Sequence, residues 1–420
     1  MDRFVIDGGV ALRGRVETSG AKNSALPALA ACLLTEDPVI LHRIPRVKDI
    51  RTMIELLRHM GAAVEDSGNG PLTVTGGANL EPVAPYEVVK TMRASSLVLG
   101  PLVGRFRRAR VSLPGGCAIG ARPIDLHMRG LEQLGARIEQ THGYIEATAP
   151  NGLLGATVRF DRITVTGTED ILMAAVLARG ETVIQNAARE PEVVDLAALL
   201  TKMGASIEGA GTPVIRIQGV ERLHGAEHTI IADRIEAGTL AIGAAITGGD
   251  VEVAGCVPEH LTALCAKLRL AGVDVEATAP DVLRVRRTGP LRSVDMVTEE
   301  HPGFATDLQA QYMALMTQAE GIAVVSERIF ENRFMYVPEL ARMSASIRID
   351  GNQAIVAGPR RLTGAHVMAS DLRASASLVL AGLVAEGQTI VDRVYHMDRG
   401  YENIEGKLAG LGARIRRERE

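Results

Sequence analysis

The chain has 420 residues and a formal net charge of −4; 46% of its residues are hydrophobic, 3% are aromatic and none is Trp. A chain of this length exceeds the size at which a single hydrophobic core stops growing, so two domains are expected. The negative net charge argues against a broad nucleic-acid surface. No apolar run reaches the ~18 residues of a membrane helix and residues 1–17 lack a signal-peptide core, so the sequence predicts a cytoplasmic protein without nucleic-acid or membrane partners.

One unit repeats six times along the chain. Its copies align on a pivot residue, and successive pivots lie 74, 69, 68, 72 and 68 residues apart. A Leu stands four positions before every pivot, and a Val or Ile stands three positions after it. The pattern predicts a helix with its Leu in the core, a left-handed cap at the pivot and then a strand. The pivots are Gly61, Gly135, Gly204, Gly272, Ser344 and Gly412.

A second helix, rich in small apolar residues, precedes each pivot and leads into a strand. The predicted helices contain SALPALAACLL, SSLVLGPLVG, DILMAAVLARG, GTLAIGAAITGG, LQAQYMALMTQAEG and LRASASLVLAGLVAEG. The unit therefore reads helix, strand, helix, strand, strand. Six units predict an α/β fold of two lobes with three units each, and the cleft between lobes is the expected ligand site.

The second unit departs from its siblings in a glycine-rich loop that contains Cys117. Three glycines within six residues surround this thiol, and Arg122 follows five residues later. An inert thiol in a tight turn is the alternative, but a nearby cation in an exposed loop favours a reactive cysteine. The spacing of the four cysteines matches no metal site, and no cofactor motif is present. We expect the other three thiols to be free and buried, at Cys32, Cys256 and Cys265.

Basic residues stand where the small-residue helices begin. A cation opposes the helix dipole at that end, so these positions suggest an anion-binding cleft, although ordinary surface charges are the alternative for any one of them. They are Lys22, Arg93, Arg234 and Arg373.

In the fifth unit Asp307 takes the corresponding place, either as a helix starter or as a base that accepts a hydroxyl proton. Arg333 and Arg399, on loops after strands, are of the type that binds carboxylate or phosphate bidentately, although loop arginines are usually solvated.

Together these motifs resemble the UDP-N-acetylglucosamine 1-carboxyvinyltransferase family of enolpyruvyl transferases. The resemblance covers essentially the whole chain, and the cysteine loop is its most specific part. The segments that carry it are residues 20–23 (GAKN), 114–120 (PGGCAIG), 122–127 (RPIDLH), 188–192 (AREPE), 331–334 (ENRF) and 399–402 (RGYE).

The resemblance implies two lobes, each an inside-out α/β barrel, formed by residues 22–229 and by residues 1–21 with 230–420. It implies transfer of the enolpyruvyl group of phosphoenolpyruvate to the 3-hydroxyl of UDP-N-acetylglucosamine with release of phosphate, the first committed step of peptidoglycan synthesis. Cys117 would protonate the methylene carbon, Asp307 would accept the hydroxyl proton, and Asp371 would assist. No metal or cofactor is implied.

The resemblance also assigns the substrate contacts. Phosphoenolpyruvate would be bound by Lys22, Asn23, Arg122, Arg333, Arg373 and Arg399. The nucleotide sugar would be faced by Asn23, Arg93, Pro123, Ile124, Asp125, Leu126, Asp307 and Ile329. Arg162 stands where the family often has Lys, so contacts to the uridine side stay unassigned.

Three alternatives remain beside this interpretation. The related transferase of the shikimate pathway shares the architecture and the donor but lacks the Gly-Gly-Cys loop. A six-unit ring that encircles DNA would need a basic lining, and a sugar-nucleotide sensor would not need Cys117, Asp307 and the arginines together.

Overall fold

A computed structural model of the chain describes residues 2–68, 70–90, 92–113 and 124–419, with the main chain alone at residue 93. Within these residues the chain divides into two units. The N-terminal unit contains residues 20–231, and the C-terminal unit contains residues 2–19 and 232–419. The predicted site residues Cys117, Arg122 and Pro123, in and beside the glycine-rich loop, lie outside the described residues.

The strands and helices follow in chain order. The strands are Arg3–Asp7 (β1), Arg13–Glu17 (β2), Pro38–His42 (β3), Ala63–Asp66 (β4), Leu72–Thr75 (β5), Val83–Ala84 (β6), Arg108–Ser112 (β7), Arg137–Thr141 (β8), Tyr144–Thr148 (β9), Thr157–Arg159 (β10), Glu181–Gln185 (β11), Ser206–Glu208 (β12), Val214–Gln218 (β13), Glu227–Thr229 (β14), Asp250–Ala254 (β15), Asp274–Ala279 (β16), Val282–Arg286 (β17), Leu291–Arg292 (β18), Met296–Val297 (β19), Ala319–Ser326 (β20), Ser346–Asp350 (β21), Gln353–Gly358 (β22), His366–Met368 (β23), Gln388–Asp392 (β24) and Arg414–Glu418 (β25). The α-helices are Lys22–Ala31 (α1), Lys48–His59 (α2), Tyr86–Val89 (α3), Leu99–Phe106 (α4), Asp125–Gln133 (α5), Val165–Ala175 (α6), Pro191–Lys202 (α7), Arg234–Thr247 (α8), Thr262–Leu270 (α9), Gln309–Met316 (α10), Val337–Arg342 (α11), Leu372–Val384 (α12) and Ile404–Gly410 (α13). Short 3₁₀ helices span Cys32–Leu34, Arg93–Val98, Pro258–Leu261, Thr306–Leu308 and Val394–Arg399.

The strands of the N-terminal unit form three sheets with a common plan. Their orders are β14-β3-β5-β4, β6-β7-β9-β8 and β10-β11-β13-β12. In each sheet a two- or three-residue strand pairs in parallel with a longer strand, and two further strands continue the sheet in antiparallel pairing. The sequence prediction missed the short first strands, because two or three residues carry no measurable periodicity.

The C-terminal unit has three more sheets with the same pairing, in the orders β2-β15-β17-β16, β18-β20-β22-β21 and β23-β24-β1-β25, although the parallel strand β2 has five residues. Strand β19 also pairs with β20. The first two strands of the chain complete sheets of this unit, because β1 lies between β24 and β25 and β2 pairs in parallel with β15. The predicted arrangement of six α/β units, three in each half, is confirmed.

The pivots adopt the predicted left-handed conformation. The five pivot glycines have φ between +90° and +102°, and Ser344 has φ +71°. The Leu four positions before each pivot is buried in every copy, with at most 1% of its surface exposed. The Val or Ile three positions after each pivot lies in β4, β8, β12, β16, β21 or β25. The helix, cap and strand prediction is therefore confirmed.

The small-residue helices form the interior of each unit. These helices are α1, α4 and α6 in the N-terminal unit and α8, α10 and α12 in the C-terminal unit, and most of their residues are buried. In the C-terminal unit the three helices pack against one another, with strands on their outer side. Ala and Gly permit this close packing because they add little side-chain volume. No helix in the described part of the chain is long and apolar enough to cross a membrane.

Candidate active site

Asp307 lies in the 3₁₀ helix Thr306–Leu308, immediately before α10, and binds two arginines. Its Oδ1 accepts a hydrogen bond from Arg333 Nη2 at 2.8 Å, and its Oδ2 accepts from Arg373 Nε at 3.1 Å and Nη2 at 2.8 Å. The Asp307 side chain is 26% exposed, whereas the arginine side chains are only 4% and 5% exposed. The C-terminal unit thus presents a carboxylate to solvent with two buried guanidinium groups beside it.

A polar network from three segments supports Arg373. Its guanidinium carbon lies 5.3 Å from the centroid of the Tyr401 ring, and the Tyr401 hydroxyl lies 2.8 Å from Thr239 Oγ1. Gln311 Nε2 donates to the Tyr401 hydroxyl at 3.1 Å and to the main-chain oxygen of Asp307 at 3.0 Å. Burial lowers the pKa of Arg373, but the attraction of Asp307, together with that of Tyr401 and Asp233, outweighs it and raises the pKa above its ordinary value. Arg373 is therefore a fixed cation.

One buried donor of Arg373 is a candidate contact for a ligand. Its Nη1 atom is buried and has no hydrogen-bond partner among the residues that the structure describes. A buried guanidinium N–H without an acceptor is costly, so this atom is a natural contact for a substrate anion.

Asp371 and Ile329 have local main-chain contacts in the structure. Asp371 caps α12, because its Oδ1 accepts from the N–H groups of Arg373 at 2.9 Å and Ala374 at 3.0 Å. The N–H of Ile329 donates to Glu327 Oε1 at 2.8 Å. The half-buried Arg399 ends the 3₁₀ helix Val394–Arg399. Their predicted roles with the substrates stay predictions.

Glu327, which the sequence prediction missed, connects segments beside Asp307. This carboxylate is 3% exposed, and its Oε2 accepts a hydrogen bond from Thr306 Oγ1 at 2.9 Å. Its Oε1 accepts from Thr298 Oγ1 at 2.8 Å and from the Ile329 N–H. The position of Glu327 directly after β20 was the available signal, since side chains at strand ends often serve a site.

In the N-terminal unit, Lys22 begins α1 and is already paired with a carboxylate. Its Nζ atom lies 3.1 Å from Asp49 Oδ2, and the two side chains are 12% and 6% exposed. Asn23 follows in the same turn and is half-buried. Lys22 and Arg373 both belong to the cations predicted at helix starts, and the fold supplies each with an internal anion. At these two positions the anion that pairs with the cation therefore includes a carboxylate of the protein, from Asp49 or Asp307.

Three other residues assigned to the nucleotide sugar lie at the start of α5, and a fourth lies in an earlier element. Ile124 and Leu126 are 4% and 8% exposed and belong to the hydrophobic core of the N-terminal unit. Asp125 begins α5, and its buried Oδ1 has no hydrogen-bond partner within the described ranges. Arg93 begins the 3₁₀ helix Arg93–Val98. Among the side chains of this set that the structure describes, Asp125 has a buried polar atom that remains to be satisfied.

The three described cysteines are buried, as predicted. Cys32, Cys256 and Cys265 are free thiols that are at most 4% exposed. Burial raises the pKa of each thiol above its ordinary value, which suppresses the reactive thiolate. Cys117 is thus the remaining candidate for thiol chemistry in the sequence.

The fold of two three-unit halves with buried small-residue helices places the chain in the enolpyruvyl-transferase class, because a solved member of that class aligns over nearly its whole length. The enolpyruvyl transferase NikO from Streptomyces tendae aligns with a TM-score of 0.88 at 27% identity, covering 99% of both chains. EPSP synthase from Acinetobacter baumannii aligns with a TM-score of 0.77 at 19% identity over the whole of both chains, which shows the same fold.

The sequence comparisons identify the family. The family model described as EPSP synthase (3-phosphoshikimate 1-carboxyvinyltransferase) matches residues 6–408, so the chain belongs to this family. The UDP-N-acetylglucosamine 1-carboxyvinyltransferase of Solibacter usitatus is 72% identical over 99% of this chain and 100% of its own length. The protein of the same name from Anaeromyxobacter sp. is 59% identical over the whole of both chains. The resemblance noted from the motifs is confirmed.

Proposed function

We propose that the chain transfers the enolpyruvyl group of phosphoenolpyruvate to the 3-hydroxyl of UDP-N-acetylglucosamine and releases phosphate. The observation that carries this proposal is the 72% identity, over essentially the full length of both chains, to a UDP-N-acetylglucosamine 1-carboxyvinyltransferase. The reaction would commit the sugar to peptidoglycan synthesis. Its substrates are small molecules, and a cytoplasmic location remains our expectation for the protein.

The geometry around Asp307 supports its role as the base. A base must reach the substrate hydroxyl, and the Asp307 side chain is partly exposed. Arg333 and Arg373 fix the direction of both carboxylate oxygens before the substrate arrives. In this proposal Arg373 also contacts phosphoenolpyruvate through Nη1, which neutralises the charge of the phosphate that leaves.

The proposed reaction proceeds by addition and then elimination. Asp307 accepts the proton of the 3-hydroxyl as the sugar oxygen bonds to C2 of phosphoenolpyruvate, while Cys117 donates a proton to the C3 methylene. In the elimination step the Cys117 thiolate takes back a proton from the methyl group of the tetrahedral intermediate. The bond between C2 and the phosphate oxygen then breaks, which leaves the enolpyruvyl ether, and phosphate departs with the proton held by Asp307. Lys22, Arg122 and Arg399 would bind the carboxylate and phosphate of the donor, with Lys22 sharing its charge with Asp49.

A second acceptor is kept because the family model carries the description 3-phosphoshikimate 1-carboxyvinyltransferase. The test is phosphate release from phosphoenolpyruvate with UDP-N-acetylglucosamine or with shikimate 3-phosphate, for the wild type and for Cys117→Ala. We expect release with the nucleotide sugar alone, and loss of release in the variant. Release with shikimate 3-phosphate would change the assigned acceptor. If folded protein released no phosphate with either acceptor, the enzyme assignment would be overturned.

A further inference from the structure

A buried polar cluster in the N-terminal unit connects three segments that are distant in sequence. The Asp195 cluster consists of Ser24 on α1, Asp195 on α7, His228 on β14 and the main-chain N–H of Ile231. Ser24 Oγ donates a hydrogen bond to Asp195 Oδ2, and the Ile231 N–H donates to the same oxygen at 3.4 Å. His228 Nε2 lies 2.9 Å from Asp195 Oδ1. The three side chains are 0% to 6% exposed.

The order of the contacts excludes nucleophilic catalysis by this cluster. In a catalytic triad the imidazole lies between the hydroxyl and the carboxylate, so that it can accept the hydroxyl proton. Here the carboxylate of Asp195 lies between Ser24 and His228. The Ser24 hydroxyl is also fully buried, which keeps a substrate away from it. The cluster must therefore act through its effect on the protein.

The segment that the cluster fixes is the first turn of α1. The residue before this helix is Ala21, whose methyl side chain cannot cap the free N–H groups. The Ala21 N–H donates to the main-chain oxygen of Ile231 at 2.8 Å. Asp195 binds the other side of the same junction, through Ser24 Oγ and the Ile231 N–H. The start of α1 is thus attached to residue 231 directly and through Asp195.

Lys22 and Asn23 are the residues between these two attachment points. Lys22 extends from this turn to Asp49, at 3.1 Å, and both Lys22 and Asn23 are assigned to the substrates in the proposed function. A charged hydrogen bond from such a side chain contributes roughly 1.5 to 3 kcal/mol to binding, and it weakens when the side chain is displaced from the substrate. The turn therefore has to be held in one position.

We propose that Asp195 is a positioning residue that fixes the first turn of α1, and with it the direction of Lys22 and Asn23, for phosphoenolpyruvate binding. The proposal rests on the proposed function, since the substrate roles of these two residues belong to it. Loss of the Ser24 contact weakens a binding interaction that is equal in the ground state and the transition state. The expected signature is a higher KM for phosphoenolpyruvate with kcat preserved.

The first test compares Ser24→Ala with the matched control Ser377→Ala. Ser377 is also a fully buried helical serine, but the one hydrogen bond of its hydroxyl within the described ranges is to the main-chain oxygen of Ala374, at 2.8 Å. We expect Ser24→Ala to raise the KM for phosphoenolpyruvate about tenfold with kcat within about threefold, and Ser377→Ala to change neither. Asp195→Asn should raise the same KM as well, because one carboxylate oxygen of the cluster becomes an amide NH2 group that cannot accept a hydrogen bond. An unchanged KM in Ser24→Ala overturns the proposal.

The second test does not need activity. The amides of Ser24 and Ala25 donate to the main-chain oxygen of Ala21 at 3.1 and 2.9 Å, so their hydrogen exchange reports the first turn of α1. We expect exchange at these amides to be about tenfold faster in Ser24→Ala and unchanged in the control. If the wild type releases no phosphate, the proposed function fails, and this exchange measurement alone decides whether the cluster holds the turn; unchanged exchange overturns that role too.

Discussion

The replacement Asp307→Asn tests both the base and the arginine pair beside it. The variant keeps the size of the side chain but cannot accept the hydroxyl proton, so kcat should fall by about 10²- to 10⁴-fold. The amide also replaces one oxygen that accepts from Arg333 or Arg373 with a donor. A charged hydrogen bond contributes roughly 1.5 to 3 kcal/mol, and water weakens it here because the side chain is 26% exposed. The free energy of unfolding should therefore fall by about 2 kcal/mol.

The assay is phosphate release at saturating substrates, with urea denaturation of the same samples. Asp350→Asn is the control, because it makes the same chemical change at an exposed position of the C-terminal unit. The control should keep the wild-type kcat and stability. A kcat for Asp307→Asn within about threefold of the wild type would refute the assignment of Asp307 as the base.

Three further predictions concern stability and thiol reactivity. Gly412→Ala should lower the free energy of unfolding by about 1 to 2 kcal/mol, because φ at this residue is +99°. The control Gly410→Ala lies in the last turn of α13 with open space around it and should be neutral or stabilising. Equal effects of the two changes in urea denaturation would contradict this. Burial, and then Glu192, raise the pKa of Glu169 well above its ordinary value. The folded protein therefore keeps a proton that the unfolded chain releases above about pH 4.3, and the free energy of unfolding falls as the pH rises. Glu169→Gln lacks this loss, so its stability relative to the wild type should increase from about pH 5 to about pH 8, and a constant difference would count against it. An epoxide of the fosfomycin type should add once, at Cys117, because the other three thiols are buried; mass spectrometry that finds an adduct in Cys117→Ala would contradict this.

The sequence predicted the repeat well because each local rule occurs six times. A glycine at one position is weak evidence for a cap, but a pivot with Leu before it and a β-branched residue after it, in six copies, leaves little choice. The structure places Ser344 in the same left-handed region as the glycines, so the position rather than the residue type defines the cap. The pairing of β1 with β24 joins residues about 385 positions apart, such as Phe4 and Val391, and no local pattern reports such a contact.

The sequence predicted the cationic residues of the candidate site but not the residues that contact them. The sequence placed Lys22 and Arg373 at helix starts, because the conflict between a cation and the helix dipole is visible in a short segment. Asp49 could not be found in this way, since it meets Lys22 only where α1 and α2 pack together, and Gln311 reaches the Tyr401 hydroxyl across 90 residues of sequence. Asp307 was open between a helix starter and a base, and its contacts with buried arginines now favour a role beyond starting α10.

These internal partners change how a substrate anion can bind. A buried cation without a counter-charge is unstable, so the free protein pairs Lys22 with Asp49 and Arg373 with Asp307. In the proposed function an incoming phosphate or carboxylate would join an existing pair, and its binding energy would be reduced by the attraction that the pair already satisfies. The gain is orientation, because the Tyr401 ring and the Asp307 carboxylate fix the Arg373 guanidinium before the substrate arrives. A preorganised cation needs no rearrangement when charge develops on the phosphate that leaves, which is the point of the reaction where stabilisation lowers the barrier.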